Sequence, residues 1–87
     1  MHVPVESPEA LGRVVRAVRR AQRIRQDDLA PMANTSHVTL MNIERGKDSV
    51  GIGRVMDVLR ELGVRVHLDI PPEVAMQVEQ ALGRDHG

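Results

Sequence analysis

The sequence predicts a mainly α-helical domain, with four to five helices followed by one short C-terminal strand. Apolar residues recur at steps of three and four through most of the chain, which is the spacing of helices with one buried face. The spacing changes to strict alternation over residues 64–70, which is typical of a strand. The length of 87 residues indicates one domain, and its core is small unless dimerisation adds to it.

The first helix is predicted to begin at Ser7, after a flexible N-terminal segment of residues 1–6. Ser7 can cap the helix, Pro8 suits its first position, and the carboxylate of Glu9 complements the positive end of the helix dipole. Apolar residues then follow at helical spacing: Leu11, Val14, Val15, Val18 and Ala21. A stripe of arginines runs beside this apolar face, formed by Arg13, Arg16, Arg20 and Arg23. Their long side chains can reach outward to phosphates.

The second helix is predicted over about residues 26–33. Asp27 and Asp28 lie in its first turn, where carboxylates complement the dipole, and this structural role explains them without a catalytic pair. Pro31 removes one backbone hydrogen bond, so we expect the helix to be kinked or tightened near its end. Asn34 follows, and asparagine tolerates the left-handed conformation that ends many helices.

The third helix is predicted over about residues 36–45, with Ser36 as its cap and Gly46 as its end. Leu40 and Ile43 are expected to point to the core. Its outer residues are mostly short and able to form hydrogen bonds: Ser36, His37, Thr39 and Asn42. With the methyl groups of Val38, they suit base edges in the DNA major groove, which offer donors, acceptors and a thymine methyl. A helical hairpin with a polar outer face explains the same residues equally well.

The fourth helix is predicted over about residues 52–62, is ended by Gly63, and leads into the alternating segment. The apolar residues of that segment would form one buried face of a strand: Val64, Val66, Leu68 and Ile70. No other clear strand is predicted, and a lone strand would leave its backbone donors and acceptors unpaired. We therefore expect it to pair with its twin across a homodimer, antiparallel about a two-fold axis. A last helix is predicted over residues 71–82, before a flexible tail of residues 83–87.

Composition argues against several classes of function. The chain has no cysteine, so it can form no disulfide and no thiolate metal site, and its four histidines lack the spacing of metal ligands. It has no Phe, Tyr or Trp, whereas single-stranded nucleic acid is usually held by stacking on aromatic rings. Neither a membrane span nor a signal peptide is predicted, so we expect a cytoplasmic protein. No cofactor, metal site or enzymatic activity is predicted.

Charge is unevenly spread along the chain, although the net charge is zero. Residues 1–54 hold nine basic and six acidic residues, a charge of +3, whereas residues 55–87 hold three and six, a charge of −3. Residues 10–26 contain six arginines and no acid. This asymmetry favours a basic face that binds a polyanion over an ordinary solvated helix surface.

Three short stretches together resemble the Cro/phage-repressor (Xre-type) helix-turn-helix family. They are Gln26-Asp27-Asp28-Leu29-Ala30, Asn34-Thr35-Ser36 and Ile43-Glu44-Arg45-Gly46-Lys47, and the resemblance covers about residues 11–63. It implies that residues 7–63 form a DNA-binding domain whose third helix enters the major groove. The base-reading residues that it implies are Ser36, His37, Val38 and Asn42. The phosphate or backbone contacts that it implies are Gln26, Thr39 and Lys47, and Glu44 matches a structural carboxylate.

Arginines complete the set of predicted phosphate contacts. Arg16 and Arg20 belong to the stripe on the first helix. Arg25 stands where the family usually has threonine, so it cannot cap the second helix in the usual way, but its side chain can reach a phosphate.

Residues 58–68 further resemble the HipB-type antitoxins. In that group the last helix of the DNA-binding domain runs into a strand that pairs with its twin in the dimer. The group represses its own operon and binds a HipA-type serine/threonine kinase toxin. The resemblance therefore implies an autoregulatory repressor with a HipA-like kinase partner. Two-fold symmetry implies a near-palindromic operator in double-stranded DNA.

Two alternatives remain open from the sequence. One is a stand-alone transcriptional regulator that has no toxin partner. The other is a protein-interaction adaptor that uses the same helices against an acidic partner and binds no DNA.

Overall fold

Five α-helices account for most of residues 1–85, which are the residues that this computed structural model describes. The helices are α1 Pro8–Ala21, α2 Gln26–Met32, α3 His37–Glu44, α4 Ile52–Glu61 and α5 Ala75–Asp85. A short 3-10 helix, Pro72–Val74, leads into α5. The mainly helical prediction is confirmed, and α5 runs to Asp85 rather than ending at the predicted residue 82. Residues 86–87, the end of the predicted tail, lie outside the described residues.

Two of the predicted helix caps are formed. The hydroxyl of Ser7 accepts a hydrogen bond from the backbone N–H of Ala10, and that of Ser36 accepts one from Thr39, each at 3.0 Å. Each bond satisfies a donor that the first turn of a helix otherwise leaves free. Arg25 takes the corresponding position before α2 and makes no side-chain cap bond, as the sequence predicts.

Each of the first four helices is followed, two positions after its last residue, by a residue in the left-handed conformation. The sequence predicts this ending at Asn34, Gly46 and Gly63, and their φ angles of 54°, 78° and 75° confirm it. Arg23 has the same conformation after α1, with φ 59°, which the sequence does not predict because a side chain is disfavoured there. In all four cases the next residue donates its backbone N–H into the last turn, which closes the helix.

Pro31 lies inside α2 without interrupting it. The residue is exposed, and the helix continues to Met32 before it ends. The proline ring removes a single backbone donor, and the following residues close the helix normally. Asn34 donates to the carbonyl of Pro31 at 3.0 Å, and Thr35 donates to that of Ala30 at 2.9 Å. The expected irregularity is therefore limited to one missing hydrogen bond.

The core is built from one face of each of the first four helices. Its buried apolar residues are Val15, Leu29, Ala30, Ala33, Leu40, Ile43, Val58, Leu59 and Leu62. α1 lies against α3 at Gly12, where an added Cβ would stand 2.5 Å from the backbone oxygen of Ile43. Any side chain at that position would push the two helices apart, so Gly12 sets how closely α3 is seated.

The predicted strand over residues 64–70 is not formed in the described part of the chain. A strand is defined by its pairing, and the predicted partner is a second copy, which a single chain cannot supply. The strand and its role in a dimer therefore stay a prediction.

The apolar face of that segment is open apart from its first residue. Val64 packs against the core, and its backbone N–H donates to the carbonyl of Leu59 at 2.9 Å. Val66, Leu68 and Ile70 are 50%, 79% and 40% exposed. The face that the sequence predicts to be buried is thus free to meet another surface.

Both ends of the described chain lie outside the core. Residues 1–6 form neither helix nor strand, and the ring of His2 meets that of His67 edge-on, with centroids 5.6 Å apart. On α5, Val78 is half-buried, whereas Met76 and Leu82 are exposed. The packed unit is therefore formed by α1 to α4.

Candidate nucleic-acid interface

α3 has two different faces. Leu40 and Ile43 are buried in the core, whereas Ser36, His37 and Val38 are exposed at the N-terminal end of the helix. Val38 is 65% exposed although it is apolar. The start of α3 thus presents a hydroxyl, an imidazole and a methyl-bearing side chain, which are groups that match base edges.

Asn42 is less open than the sequence predicts. It lies further along α3 and is half-buried rather than exposed. α3 is only eight residues long and packs against both α1 and α2, so its later residues are partly covered. The amide of Asn42 is consequently set back from the three exposed residues at the start of the helix.

Ser36 and Thr39 form a small hydrogen-bonded unit at the start of α3. The hydroxyl of Ser36 accepts from the backbone N–H of Thr39 at 3.0 Å and donates to Oγ1 of Thr39 at 2.9 Å. Its own hydrogen is therefore used within the protein, and the hydroxyl hydrogen of Thr39 is left for an outside acceptor. Thr39 is thus equipped to donate to a phosphate oxygen, and Ser36 to accept from a base.

His37 contacts a residue of the preceding helix. Its Nδ1 lies 2.6 Å from Oδ1 of Asp27, which belongs to the first turn of α2. The two side chains are 43% and 75% exposed. The helix dipole explains Asp27 in the sequence, and this contact is a second role that the sequence does not indicate.

Glu44 connects the first three helices. Its Oε2 accepts from Nε of Arg19 at 2.6 Å, and its Oε1 accepts from Nη2 of Arg19 and Nε2 of Gln26, each at 3.0 Å. Burial of the carboxylate raises the pKa of Glu44, but the hydrogen bonds from Arg19 and Gln26 and the charges of Arg19 and Arg16 outweigh it. The pKa therefore lies below its usual value. These contacts give Glu44 the structural role that the resemblance implies.

Arg19 does not belong to the basic surface to which the sequence assigns six arginines. It turns inward and is 8% exposed, with its Nη1 donating to the carbonyl of Ile24 at 3.0 Å. One signal could have identified it, since Arg19 follows the buried Val15 by four residues and so shares its helix face. Arg16 and Arg20, the predicted phosphate contacts on α1, are exposed.

Two predicted phosphate contacts near the start of α2 also make bonds within the protein. Gln26 is half-buried and donates to Glu44. Arg25 is exposed, and its Nε donates to Oδ2 of Asp28 at 3.2 Å. This hydrogen bond and the charge of the same carboxylate raise the pKa of Arg25. An amide has two N–H donors and a guanidinium has five, so both side chains retain donors for a phosphate.

Basic side chains also stand beyond the two ends of α3. Lys47, a predicted phosphate contact, is exposed just after the helix ends. Arg54 is not singled out by the sequence, but its Nη1 donates to the carbonyl of Asn34 at 3.1 Å. It lines one cleft together with Ser36 and Thr39. Arg54 reaches this turn from 20 residues further along the chain, a distance at which no local pattern gives a signal.

The described residues contain no group of three or more histidine, cysteine, aspartate or glutamate side chains placed to hold a metal ion. None of the helices that they form combines the length and apolar character that a bilayer span requires.

Comparison with known proteins agrees with this arrangement. The family model described as Helix-turn-helix matches residues 15–68. The uncharacterized HTH-type transcriptional regulator y4mF of Sinorhizobium fredii is 36% identical over 69 residues, which cover 79% of this chain and 91% of that protein.

Solved structures of similar fold include a HipB-O4 20mer complex, with a TM-score of 0.73, and a HipA-HipB-O2-O3 complex, with a TM-score of 0.74. Each is 22% identical, and each match covers 79% of this chain and 97% of the other. At this identity the likeness concerns the fold alone. The match over residues 15–68 and the similar regulator show that this chain belongs to the Xre-type helix-turn-helix family, a family of DNA-binding transcriptional regulators and not of enzymes.

Proposed function

We propose that this chain is a repressor that binds a specific sequence of double-stranded DNA through α3. The observation that carries the proposal is that α3 has a buried inner face and an exposed N-terminal end. Leu40 and Ile43 fix its inner face in the core, while Ser36, His37 and Val38 are exposed at its N-terminal end. Recognition helices place their N-terminal residues against base edges in the major groove. These three residues are therefore proposed to read bases, with Asn42 adding a contact from its half-buried position.

Donor side chains around α3 are proposed to bind the DNA phosphates. They are Arg16, Arg20, Arg25, Gln26, Thr39 and Lys47. Arg16, Arg20 and Lys47 are exposed, and the other three retain donors beyond the bonds that they make within the protein. Phosphate contacts supply much of the affinity and fix the position of the protein, but they carry no base sequence.

Two copies are proposed to act together on the operator. Val66, Leu68 and Ile70 expose apolar side chains at alternate positions, in a segment that leaves the core at Val64. Antiparallel pairing of this segment with its twin would bury these side chains and satisfy the backbone groups between them. The two-fold axis would set two α3 helices about 34 Å apart, so the operator would be a near-palindrome.

The finer proposal is that the repressor is an autoregulatory antitoxin that binds and neutralises a HipA-like serine/threonine kinase toxin. Its support is the resemblance of residues 58–68 to HipB-type antitoxins and a fold like that in the HipA-HipB-O2-O3 complex. Co-purification from the native cell tests it. A bound kinase whose activity falls as repressor is added supports the antitoxin, and recovery of the repressor without a kinase favours a stand-alone regulator.

Mobility shifts with DNA from the chain's own promoter, over a range of salt concentrations, test DNA binding. Binding should weaken as salt rises, because each phosphate contact releases counterions. Arg16→Ala, Arg20→Ala and Lys47→Ala should each weaken binding to all sequences alike and lower the salt slope by about one unit. Arg60→Ala is the matched control, since it removes the same charge from an exposed position on α4 where Arg60 pairs with Asp57.

Unchanged salt slopes in all three test variants would show that the basic surface does not face DNA. Together with binding to an acidic protein, that result would favour the adaptor.

A further inference from the structure

We propose that Arg54 binds a phosphate of the DNA backbone, in a cleft that it shares with Thr39. The inference rests on the proposed function and adds to it a residue of α4, a helix to which that function assigns no DNA contact. It also assigns the two sides of α3 to the two strands of the duplex.

The cleft lies between the start of α3 and the first turn of α4. Among the described residues it is lined by Pro31, Asn34, Thr35, Ser36, Thr39 and Arg54, none of which is acidic. Thr39 keeps its hydroxyl hydrogen for an outside acceptor, because its oxygen accepts the hydroxyl hydrogen of Ser36. The cleft thus offers an anion a cationic side chain and a hydroxyl donor, without a carboxylate to repel it.

Arg54 has donors to spare at the edge of this cleft. Its Nη1 donates to the carbonyl of Asn34 at 3.1 Å, in the turn between α2 and α3. A guanidinium has five N–H donors, so most of them remain for another partner. The side chain is exposed, and within the described residues it pairs with no carboxylate, unlike Arg19 and Arg25. Its charge is therefore available to a bound anion.

The position of Arg54 is unfavourable for α4 itself. Arg54 is the third residue of the helix, and the first turn of α4 carries no acid. The positive end of a helix dipole favours carboxylates and disfavours cations, so the needs of the helix do not explain an arginine here. An anion bound in the cleft would compensate this charge.

Two clefts lie on opposite sides of α3. His37 lines one of them with Arg20 and Arg25, and Thr39 lines the other with Arg54. Residues two positions apart on an α-helix lie about 200° apart around its axis, so the two clefts flank the helix. A helix in the major groove has one phosphate strand on each side. The first cleft therefore suits one strand, and the cleft of Arg54 suits the other.

The experiment neutralises the DNA phosphates one at a time. The promoter duplex that the wild-type protein binds is made with a single methylphosphonate, which carries no charge, at each position of a half-site on either strand. Mobility shifts then show which phosphates the protein contacts. Repeating the scan with variants assigns a side chain to each phosphate, because a neutralised phosphate has no further effect once its partner is removed.

Arg54→Ala should weaken binding by about tenfold and lower the salt slope by about one unit. It should abolish the effect of methylphosphonate at one phosphate, and Thr39→Val should abolish it at the same phosphate. Arg20→Ala should instead abolish an effect on the other strand. Arg54→Lys keeps the charge and should keep the salt slope. Arg60→Ala is the control on α4, where Arg60 pairs with Asp57, and it should leave the whole scan unchanged.

A role of Arg54 confined to the fold would give a different result. Arg54 would then act only through its bond to Asn34, and Arg54→Ala would lower the free energy of unfolding, measured by chemical denaturation. Every methylphosphonate effect seen with the wild-type protein would remain in the variant. That pattern would overturn the inference.

Inorganic phosphate, titrated into the DNA-free protein and followed by NMR, tests whether the cleft takes a small anion instead of DNA. Saturable shifts at Thr39, together with an unchanged methylphosphonate scan in Arg54→Ala, would overturn the inference while leaving the proposed function in place. A wild-type protein that binds no promoter DNA even at low salt would overturn the proposed function, and this inference with it.

Discussion

Glu44 joins the first three helices through its hydrogen bonds with Arg19 and Gln26. The resemblance to the Xre-type family implies such a structural role for Glu44, and these contacts confirm it. Its partners Arg19 and Gln26 lie 25 and 18 residues away, and no local pattern indicates that they meet. The contact between Asp27 and His37 escapes prediction for the same reason. Local spacing places a side chain on a face of its helix, but the folded chain decides which side chain it meets.

Replacing Glu44 with glutamine should destabilise the fold. The variant keeps the shape but leaves the charge of Arg19, whose side chain is 10% exposed, without a counter-charge. Breaking a buried ion pair from one side costs about 3 kcal/mol, measurable by chemical denaturation followed by circular dichroism. Asp57→Asn, which breaks an exposed pair with Arg60, should change stability little. Equal effects of the two substitutions would contradict the buried role of Glu44.

The same carboxylate should make stability depend on pH in the acid range. The pKa of Glu44 in the folded chain lies below its ordinary value of 4.5, so the unfolded chain takes up the proton first as the pH falls. The contribution of Glu44 is therefore fully present above pH 4.5 and is lost as the pH falls through the folded pKa. The free energy of unfolding should decline over that range in the wild-type protein, and decline less in Glu44→Gln.

Asn42→Ala should separate base reading from stability. A good pair between an amide and adenine gives about 1–3 kcal/mol of discrimination, so specificity should relax at one or two base pairs per half-site. Asn42 is outside the core cluster, so the midpoint of thermal unfolding should change little. Binding selection and thermal unfolding of the same variant measure the two effects. A large loss of stability with unchanged base preference would assign Asn42 to packing.

Helix boundaries are predictable from the sequence because they follow local rules. Ser7 and Ser36 begin helices through their own hydroxyls, and Asn34 and Gly46 end helices through their own backbone freedom. Arg23 is the exception, since the turn between α1 and α2 imposes a conformation that an arginine does not itself favour.

The segment of residues 64–70 after α4 is harder to predict than the helix boundaries. Alternation predicts a face to be buried, but it does not indicate which molecule covers that face.

Gly12→Ala should separate α1 from α3. The added Cβ would stand 2.5 Å and 2.6 Å from the backbone oxygens of Ile43 and Glu44, which cannot move aside without shifting α3. We expect a loss of about 1–3 kcal/mol in the free energy of unfolding, measured by chemical denaturation. Gly53→Ala is the control on α4, where nothing lies within 4 Å of the new Cβ, and it should be neutral or stabilise by up to about 1 kcal/mol.

A Gly12→Ala chain as stable as the wild type would contradict the close contact of the two helices. If α3 shifts but the chain stays folded, operator binding should fall more than stability does, because the first turn of α3 would move relative to the basic residues of α1.

The chain as a whole divides into a packed unit and an exposed remainder. α1 to α4 hold the core and the basic surface, whereas residues 62–87 hold four acidic and two basic residues. Such a division could be predicted from the charge distribution and from the change of period at residue 64. The proposed arrangement of two copies could not be predicted in the same way, because it depends on a contact between two chains.

Leu68→Asp tests that surface. Leu68 is 79% exposed in the single chain, so a charge there should be harmless to a monomer but should prevent burial in a dimer. Light scattering should report a wild-type dimer at micromolar concentration, and a Leu68→Asp monomer with little operator binding. Leu82→Asp places the same charge on the exposed side of α5 and should remain dimeric. A well-folded wild-type monomer would contradict the pairing of residues 64–70.

Among the residues that the structure describes, Val64 is the last one in the apolar core and its packed neighbours, and this has a consequence for how such chains can diverge. Substitutions, insertions or fusions beyond that point leave the packing of α1 to α4 as it is. The reading unit can therefore be joined to a different C-terminal segment, and so to a different partner, without being rebuilt. In the proposed repressor, the choice of operator and the choice of partner would then lie on separate parts of one chain and could evolve at separate rates.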